Sequence, residues 1–489
     1  MDFNGIAESL LNKTILITGS TGFVAKIFVE KVLRIQPNLK QLFLVVRADD
    51  DESARERVHD EVVGKDLFRI LKNKYGTDFE SFVWNKVTPV AGDISCINLG
   101  LRNFDQIKTL WSEIDVILNV AATTNFDERY DVALGINTLG AKHVLKFAKK
   151  CIKLEMLLHV STAFVCGERS GRNLENPIKM GEALNGISGL EIEKELQLVQ
   201  NKKIELRAQQ ATKEEETVAM KELGMQRAKY YGWPNTYVFT KSMGEMLLGD
   251  LRGNVPLVII RPTIITSTYQ EPFPGWMEGL RTVDSFILGY CKGKLTCFLG
   301  DYDQVLDMIP GDMVVNAMIA AMVIHANQSN QYIYQVGSSS KNPINSCTFK
   351  DLAYRYFLKN PWIDKNGKPI KVSEARLFTT STSFERYLTV RYLIPLKGLQ
   401  VVNAALFNYF RPTYVEGSRK IRFLLRLVDL YTPYMFFKGI FDDSNLESLR
   451  STMTTEEEQK MCYFDPKVID WEDYFMNIHF PGIVRYVFK

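Results

Sequence analysis

The sequence predicts an α/β protein organised on a doubly wound parallel sheet, with a helical region after it. Three observations carry this. Thr14-Ile15-Leu16-Ile17-Thr18 is a short β-branched run that breaks into Gly19-Ser20-Thr21-Gly22-Phe23-Val24-Ala25. Short apolar runs then recur between helical stretches as far as Val336, and Tyr237 stands one helical turn before Lys241. A strand, a glycine-rich turn and a helix in that order aim free backbone N–H groups at a pyrophosphate, the Rossmann-type arrangement, and alternating strand and helix patterns close into a parallel sheet.

The first helix is expected from near Phe23 through Lys31. The turn spacing, Gly19, Gly22, Ala25, differs from the Gly-x-Gly-x-x-Gly of two-domain dehydrogenases, and alone it could serve as a tight βα connection. Read as a dinucleotide cradle, it uses Gly19, Ser20, Thr21, Gly22, Phe23 and Val24. Gln41 to Arg47 reads as a second strand, continuously apolar and so buried on both faces. An acidic residue at its end would accept from a ribose 2′-hydroxyl, whereas Arg47 can pair with a 2′-phosphate. NADP(H) is therefore expected over NAD(H), although Asp49, Asp50 and Asp51 follow closely enough to neutralise Arg47.

Val87 to Ala91 is a third strand leading into Gly92-Asp93-Ile94, where Asp93, with Ile94 beside it, can accept from an adenine amino group. Val116 to Ala122 is a fourth, and its end, with Asn119 and Ala121, lets backbone approach a cofactor. Each of these also reads as a plain strand end. Asn137, in the helical stretch Ile136 to Lys149, is either a packing amide or the buried amide that supports the active-site helix. Met156 to Ala163 is the fifth strand and delivers the hydroxyls of Ser161 and Thr162 at its C-terminal edge, where open α/β sheets bind ligands.

Residues 168–229 exceed what one crossover helix needs. Their later part is rich in Glu, Lys and Gln at helical spacing, which fits a solvated helical insertion or a cap over the substrate entrance. Gly232-Trp233-Pro234-Asn235 then starts the helix of Tyr237 and Lys241. Residues at i and i+4 share a face, so the ammonium is expected beside the phenol, lowering a pKa that is otherwise about 10 and making Tyr237 a usable proton donor. Leu257 to Arg261 is the sixth strand, with Pro262 and Thr263 turning backbone towards a nicotinamide. Pro272-Phe273-Pro274-Gly275-Trp276 is an aromatic loop, Asp312 a candidate N-cap for the helix Met313 to Ala326, and Tyr332 to Val336 a last strand. The Ser/Asn run 338–346 reads as a linker. The division expected is a catalytic, NADP(H)-binding domain over 1–340 and a C-terminal domain over 347–489.

That second region is helical and aromatic-rich. Residues 389–440 hold eight Lys/Arg against two acidic residues, with ten Phe/Tyr, and Arg419, Lys420, Arg422 and Arg426 sit among Leu and Phe. This suits a membrane-facing or phosphate-bearing amphipathic surface, or an ordinary core with a solvated basic face; no nucleic-acid module is recognisable. The 489 residues, 46% hydrophobic and 24% charged, suffice for two domains. A net charge of +3 is too small to argue for nucleic acid, and no charge-free apolar run reaches the roughly 18 residues of a spanning helix. Cys96, Cys151, Cys166, Cys291, Cys297, Cys347 and Cys462 form no C-x-x-C pair and the five histidines show no ligand spacing, so no metal and a reducing compartment are expected. Met1-Asp2-Phe3-Asn4 opens neither a signal nor a transit peptide.

The glycine turn and the distant Tyr/Lys helix together resemble the double signature of the short-chain dehydrogenase/reductase superfamily. The match sharpens to the plant fatty acyl-CoA reductases, alcohol-forming enzymes of its extended branch. It is carried by Thr18 to Ala25, His159-Val160-Ser161-Thr162-Ala163, Gly232 to Tyr237, Arg261-Pro262-Thr263, Glu271 to Trp276, Lys438 to Asp443, Phe464-Asp465-Pro466 and Asp470 to Tyr474, which is essentially the whole chain. Phe164 and Cys166 stand where relatives more often have other residues. Aligning Val165-Cys166-Gly167 with the Val-Tyr-Gly of extended short-chain enzymes puts Thr162 in the catalytic position, with Ser161 before it.

The resemblance implies reduction of a long-chain acyl-CoA by two NADPH to a primary alcohol through an aldehyde. Thr162 and Ser161 would polarise the carbonyl, Tyr237 would donate the proton, and Lys241 would hold the cofactor ribose. It also implies the endoplasmic reticulum surface, since plastid members carry an N-terminal extension that this sequence lacks; together with the basic-aromatic region 389–440, peripheral attachment at its cytosolic face is expected, with a cytoplasmic enzyme as the alternative. A two-electron sugar or steroid dehydrogenase or epimerase could use the same scaffold, but such enzymes generally lack the C-terminal region. A non-catalytic NADP(H) sensor would not need Thr162, Tyr237 and Lys241 together. A covalent route through Cys166 is not required, because the thiolate leaving group has a pKa of roughly 8.5.

Overall fold

In the computed structural model the described residues are 5–280, 282–364, 366–405, 409, 411–453 and 455–488. Met1-Asp2-Phe3-Asn4, and residues 406–408 and 410 of the basic-aromatic region, lie outside them. The short apolar runs form seven parallel strands: β1 (Thr14–Thr18), β2 (Gln41–Val46), β3 (Val87–Ala91), β4 (Val116–Asn119), β5 (Met156–Val160), β6 (Leu257–Pro262) and β7 (Gln331–Val336). Their spatial order is β7-β6-β5-β4-β1-β2-β3, so the order reverses between β1 and β4, where Ile15 to Thr18 run beside Val116 to Asn119. Such a reversal opens a crevice at the carboxyl ends of the strands.

Both sheet faces are covered, which is why the strands read as continuous rather than alternating. On one face Ile15, Ile17, Leu42, Leu158 and Ile260 pack with α1 (Phe23–Ile35) and α5 (Gly311–Ile324). On the other, Leu16, Ile117, Leu157 and Ile259 pack with Val144, Leu145 and Leu248. The insertion forms α2 (Ile192–Ala208) and α3 (Lys213–Tyr230), which share a core with Tyr130, Trp233 and Phe239. It leads into α4 (Thr236–Leu251), the Tyr237/Lys241 helix.

One expectation is corrected, and the segment read as a linker is held along its length. Asp312 does not cap its helix: Pro310 holds the N-cap position, and the Asp312 carboxylate accepts from the backbone N–H groups of Tyr269, Gln270 and Glu271 at 2.7, 2.8 and 2.9 Å. The turn at Tyr269, Gln270 and Glu271 leaves three donors without ladder partners, and the buried carboxylate collects them. The run 338–346 is tied down rather than loose. Ser338 and Ser339 donate backbone N–H groups to Asp307, Asn342 donates to the carbonyls of Pro466 and Ile469, and Asn345 caps the helix Ser346–Lys359.

The C-terminal region returns to the sheet domain at several points. Gly439–Phe441 pairs in parallel with Gly171–Asn173, and Arg376–Phe378 with Cys297–Leu299. Tyr474 donates to Thr266 Oγ1 at 2.7 Å, and His479 lies between Ser267 and Asp284 at 3.0 and 3.1 Å. Its longest helix is α6 (Arg411–Met435). Among the described residues no helix is long and apolar enough to cross a membrane, and no group of three or more His, Cys, Asp or Glu could hold a metal ion.

One buried ion pair fixes α4 to the sheet. Arg261 of β6 donates from Nε and Nη2 to Glu245 of α4 at 3.1 and 2.6 Å, with the two side chains 4% and 1% exposed. Removing one member strands the other charge in the core, so Glu245→Leu is expected to destabilise by about 3–5 kcal/mol. The double variant Glu245→Leu/Arg261→Met should recover most of that loss in a denaturant titration.

Candidate active site

The carboxyl ends of β1, β4, β5 and β6 enclose a cavity of ≈ 610 Å³. Gly19 has φ +68°, and a Cβ there would lie 2.6 Å from Cα and N of Ala121; a Cβ on Gly22 would lie 3.0 Å from the Gly19 carbonyl. Only glycine lets the two strand ends close in this way. Ser20 turns its hydroxyl inward to the carbonyls of Ile17 and Val45, which holds the loop against β2. No side chain caps α1 at Gly22, so its first N–H groups remain available to an anion. A cradle without side chains at the foot of an uncapped helix fits a dinucleotide pyrophosphate.

Gly19, Ser20, Thr21, Gly22, Phe23, Val24, Arg47, Asp93, Ile94, Ala121, Ser161, Thr162, Tyr237, Lys241, Pro262 and Thr263 all line this cavity. Asn119 does not. It is buried beneath the floor, where its Oδ1 lies 2.7 Å from Thr18 Oγ1 and its Nδ2 lies 2.9 Å from His159 Nδ1. The reason is register: Asn119 ends β4 level with Thr18 of β1 and His159 of β5, so its amide meets their side chains within the sheet, and only the chain beyond the strand, at Val120 and Ala121, reaches the cavity.

The reacting groups gather at one wall. Thr162 caps the short turn Ala163–Cys166, its Oγ1 accepting from Phe164 N at 3.4 Å. Ser161 Oγ is buried and has no protein partner, a costly state for a hydroxyl unless a ligand oxygen completes it. Asn235 caps α4 by accepting from Val238 N at 3.1 Å. The ring of Tyr237 stacks on Phe126, centroids 5.6 Å apart. Burial pushes the Tyr237 phenol up to about 12, and a hydrogen bond with Thr162 pulls it part of the way back.

Here the expected electrostatics of the pair are corrected. Lys241 Nζ donates to the Val160 carbonyl at 2.7 Å and lies 3.3 Å from His159 Nε2. It therefore turns to β5 rather than to the phenol. Burial brings its own pKa down to about 8, opposed by Glu245, and the Tyr237 value is set by desolvation and not by a neighbouring charge. Asn137 supports the helix: its Nδ2 donates to Thr240 Oγ1 and to Thr123 O, and its Oδ1 accepts from Thr123 N. Cys166 is absent from the cavity lining, and burial raises its thiol to about 12, a poor state for a nucleophile.

Other lining residues escaped sequence reasoning. Arg57 joins Arg47 at the second-strand end and donates to its backbone carbonyl. Phe126, Tyr431 and Tyr434 form an aromatic wall, with Phe126 5.4 and 5.2 Å from the two tyrosine rings. Tyr434 Oη accepts from Asn235 Nδ2 at 2.7 Å, so the C-terminal region touches the cap of α4. No residue of 168–229 lines the cavity; the insertion supports α4 from outside instead of covering the entrance.

Comparison with known proteins supplies the lineage. Residues 17–318 and 391–489 match two family models, both described as male sterility protein. A probable fatty acyl-CoA reductase 4 of Arabidopsis thaliana is 54% identical over the full length of both chains. The alcohol-forming fatty acyl-CoA reductase of Simmondsia chinensis is 52% identical over 99% of each. This chain belongs to the fatty acyl-CoA reductase family. A mouse fatty acyl-CoA reductase 2 is 27% identical, covering 99% of this chain and 86% of its own. Among solved structures, the terminal R domain of the myxalamid PKS-NRPS pathway superposes with a TM-score of 0.53 at 17% identity, covering 94% and 92% of the two chains. At that identity the likeness concerns the fold alone. Because the full-length relatives align through the C-terminal region as well, this reductase is set apart from the sugar and steroid enzymes on the same scaffold.

Proposed function

We propose that this reductase converts long-chain fatty acyl-CoA to the primary alcohol through the aldehyde, with NADPH as reductant, both steps occurring in the one cavity. The observation that carries the reading is the convergence of Ser161, Thr162, Tyr237 and Lys241 on one wall of the glycine-turn cavity in a chain that aligns end to end with alcohol-forming relatives. In this reading 1–340 binds the cofactor and carries the chemistry, while 347–489 completes the cavity wall through Tyr431 and Tyr434. Gly19 to Val24, with Asp93 and Arg47, would hold NADPH, which when bound would supply the hydride.

The preference for NADPH rests on Arg47 and on what its acidic neighbours do. Asp50 caps the helix Asp51–Val58 and accepts from Ser53 N, while Asp51 accepts from Ala91 N and Gln106 Nε2. Both carboxylates are engaged locally, whereas Arg57 is itself paired with Glu61 at 2.7 Å, so the reading rests on Arg47. Loss of one charge-assisted hydrogen bond to a 2′-phosphate amounts to about tenfold or more. Arg47→Ala should lower the NADPH/NADH ratio of kcat/KM by that factor, and an unchanged ratio would remove the assignment.

The chain's own work in each step is hydrogen-bond donation to an oxygen that gains charge. Ser161 and Thr162 offer hydroxyls to it, and Tyr237, protonated throughout the neutral range, delivers the proton. Lys241 places a positive charge beneath them at pH values below about 8. The steps diverge afterwards: the thioester adduct expels thiolate, whereas the aldehyde adduct takes the Tyr237 proton and stops as alcohol. Positioned acid catalysis contributes about 10²–10⁴-fold. Tyr237→Phe should lose that much on long-chain aldehyde and no more than that on acyl-CoA, where departure of thiolate relieves the charge. Wild-type aldehyde reduction in this variant would require a second site.

We also propose peripheral attachment to the cytosolic face of the endoplasmic reticulum membrane. Arg419, Lys420 and Arg422 are exposed on α6 beside exposed Val415 and Leu425, and Val401 is 71% exposed on the neighbouring helix Ile394–Ala405. Arg426 is not part of that face, because it pairs with Asp127 at 3.1 Å. Carbonate or high-salt washing should release the protein from microsomes. Retention after both washes, with a protease-protected segment, would overturn the peripheral reading.

A further inference from the structure

Strand β5 delivers one side chain that the chemistry above leaves unused. His159 is 1% exposed and lies between Lys241 and β4. Its Nε2 is 3.3 Å from Lys241 Nζ and its Nδ1 is 2.9 Å from the Asn119 amide. The other end of that amide is 2.7 Å from Thr18 Oγ1, which accepts from Ala121 N at 3.3 Å. A polar chain thus crosses β5, β4 and β1 beneath the cavity floor. It ends at Ala121, the backbone against which Gly19 is seated.

Donors and acceptors along this chain match in two settings. An ammonium has no lone pair, so a charged Lys241 requires Nε2 to accept. The neutral imidazole then carries its proton on Nδ1, and Asn119 turns its oxygen to that proton and its NH₂ to Thr18. A neutral Lys241 accepts from Nε2–H instead, Nδ1 is bare, and the amide takes the opposite orientation. The settings differ by one tautomer and a half-turn of one amide, and the only charge that changes is on Lys241. The imidazole stays neutral in both, since burial and then the Lys241 charge hold its pKa well below the usual histidine range.

We propose that His159, backed by Asn119 and Thr18, is the positioning residue for Lys241: it accepts from the buried ammonium, keeps it charged, and ties that charge to the seat of the glycine turn. The inference rests on the reductase reading of the site. Tyr237 becomes phenolate when it gives up its proton, and Lys241 has to be charged to balance it. The titratable and charged groups around Lys241 are Tyr237 and Glu245 on its own helix, His159 from β5 and Arg261 from β6. Arg261 is spent on Glu245. The Val160 carbonyl and His159 are therefore what hold the ammonium directly, and losing the His159 acceptor leaves desolvation to drive the proton off at lower pH.

The test has two readouts. In cofactor-free protein labelled with ¹⁵N-histidine, with the His159 signals assigned by their loss in His159→Gln, the ring should be neutral from pH 6 to 9 (about the range over which an ordinary histidine completes its titration). Its proton should sit on Nδ1 at neutral pH, move to Nε2 as Lys241 titrates near pH 8, and sit on Nε2 throughout in Lys241→Met. A ring that titrates near its ordinary value of about 6.5, or a tautomer indifferent to both pH and Lys241→Met, overturns the proposal. For aldehyde reduction, His159→Leu should lower kcat by about tenfold and move the alkaline limb of kcat down by about one pH unit. His159→Gln, whose Oε1 can accept in place of Nε2, should return the limb towards wild type. Equal losses in both variants with an unmoved limb would make His159 packing only. A wild-type protein that reduces neither acyl-CoA nor aldehyde would defeat the reductase reading, and the tautomer measurement would still decide the role of His159.

Discussion

The closeness of two strand ends governs this molecule. Without a side chain at Gly19, the backbone after β1 lies directly against the backbone after β4, and the crevice between the two halves of the sheet becomes a cradle instead of a packed seam. Everything else at the site takes its place from that contact. The helix α1 starts at the cradle with its N–H groups free, β5 brings its hydroxyls alongside, and α4 lies across them with Tyr237 and Lys241.

Desolvation then sets the character of the groups so assembled. Tyr237 is a stronger proton holder and Lys241 a weaker one than in water, so burial drives their values apart. This gives the site an acid that stays loaded and a cation that can yield. The arrangement is held by buried polar groups with fixed partners: Glu245 with Arg261, Asn137 with Thr240, Asn235 with Tyr434. Buried polar groups held this way rigidify their surroundings, and three separate ties converge on one helix.

What could be read from the chain alone was what local pattern encodes. The seven strands, the glycine turn, the hydroxyls closing β5 and the Tyr/Lys helix each announce themselves within a few residues. Features that depend on distance in sequence did not. Tyr431 and Tyr434 lie far along the chain from the cavity they line, and nothing in Tyr-Thr-Pro-Tyr points back to Phe126 or Asn235. Asn119 reads as a cofactor contact because it stands at a strand end, but its cross-strand partners Thr18 and His159 claim its amide, and register between distant strands is not legible in a local run. The Tyr237/Lys241 spacing revealed a shared helix face but not that a β5 carbonyl would claim the ammonium. Asp312 carried the composition of a cap and served a neighbouring loop.

The short ladder between Gly439–Phe441 and Gly171–Asn173 bears on how such a chain is inherited. Its two strands come from opposite sides of the boundary that sequence suggests, and Arg172 crosses the same seam to Asp442 and Ser444. Phe437 and Phe441 close on Phe164, two residues beyond Thr162 of the cavity lining. A recombination event that exchanged one half for that of a distant relative would have to replace both edges of this seam at once. The two matched stretches, though recognisable separately, are joined structurally across this seam.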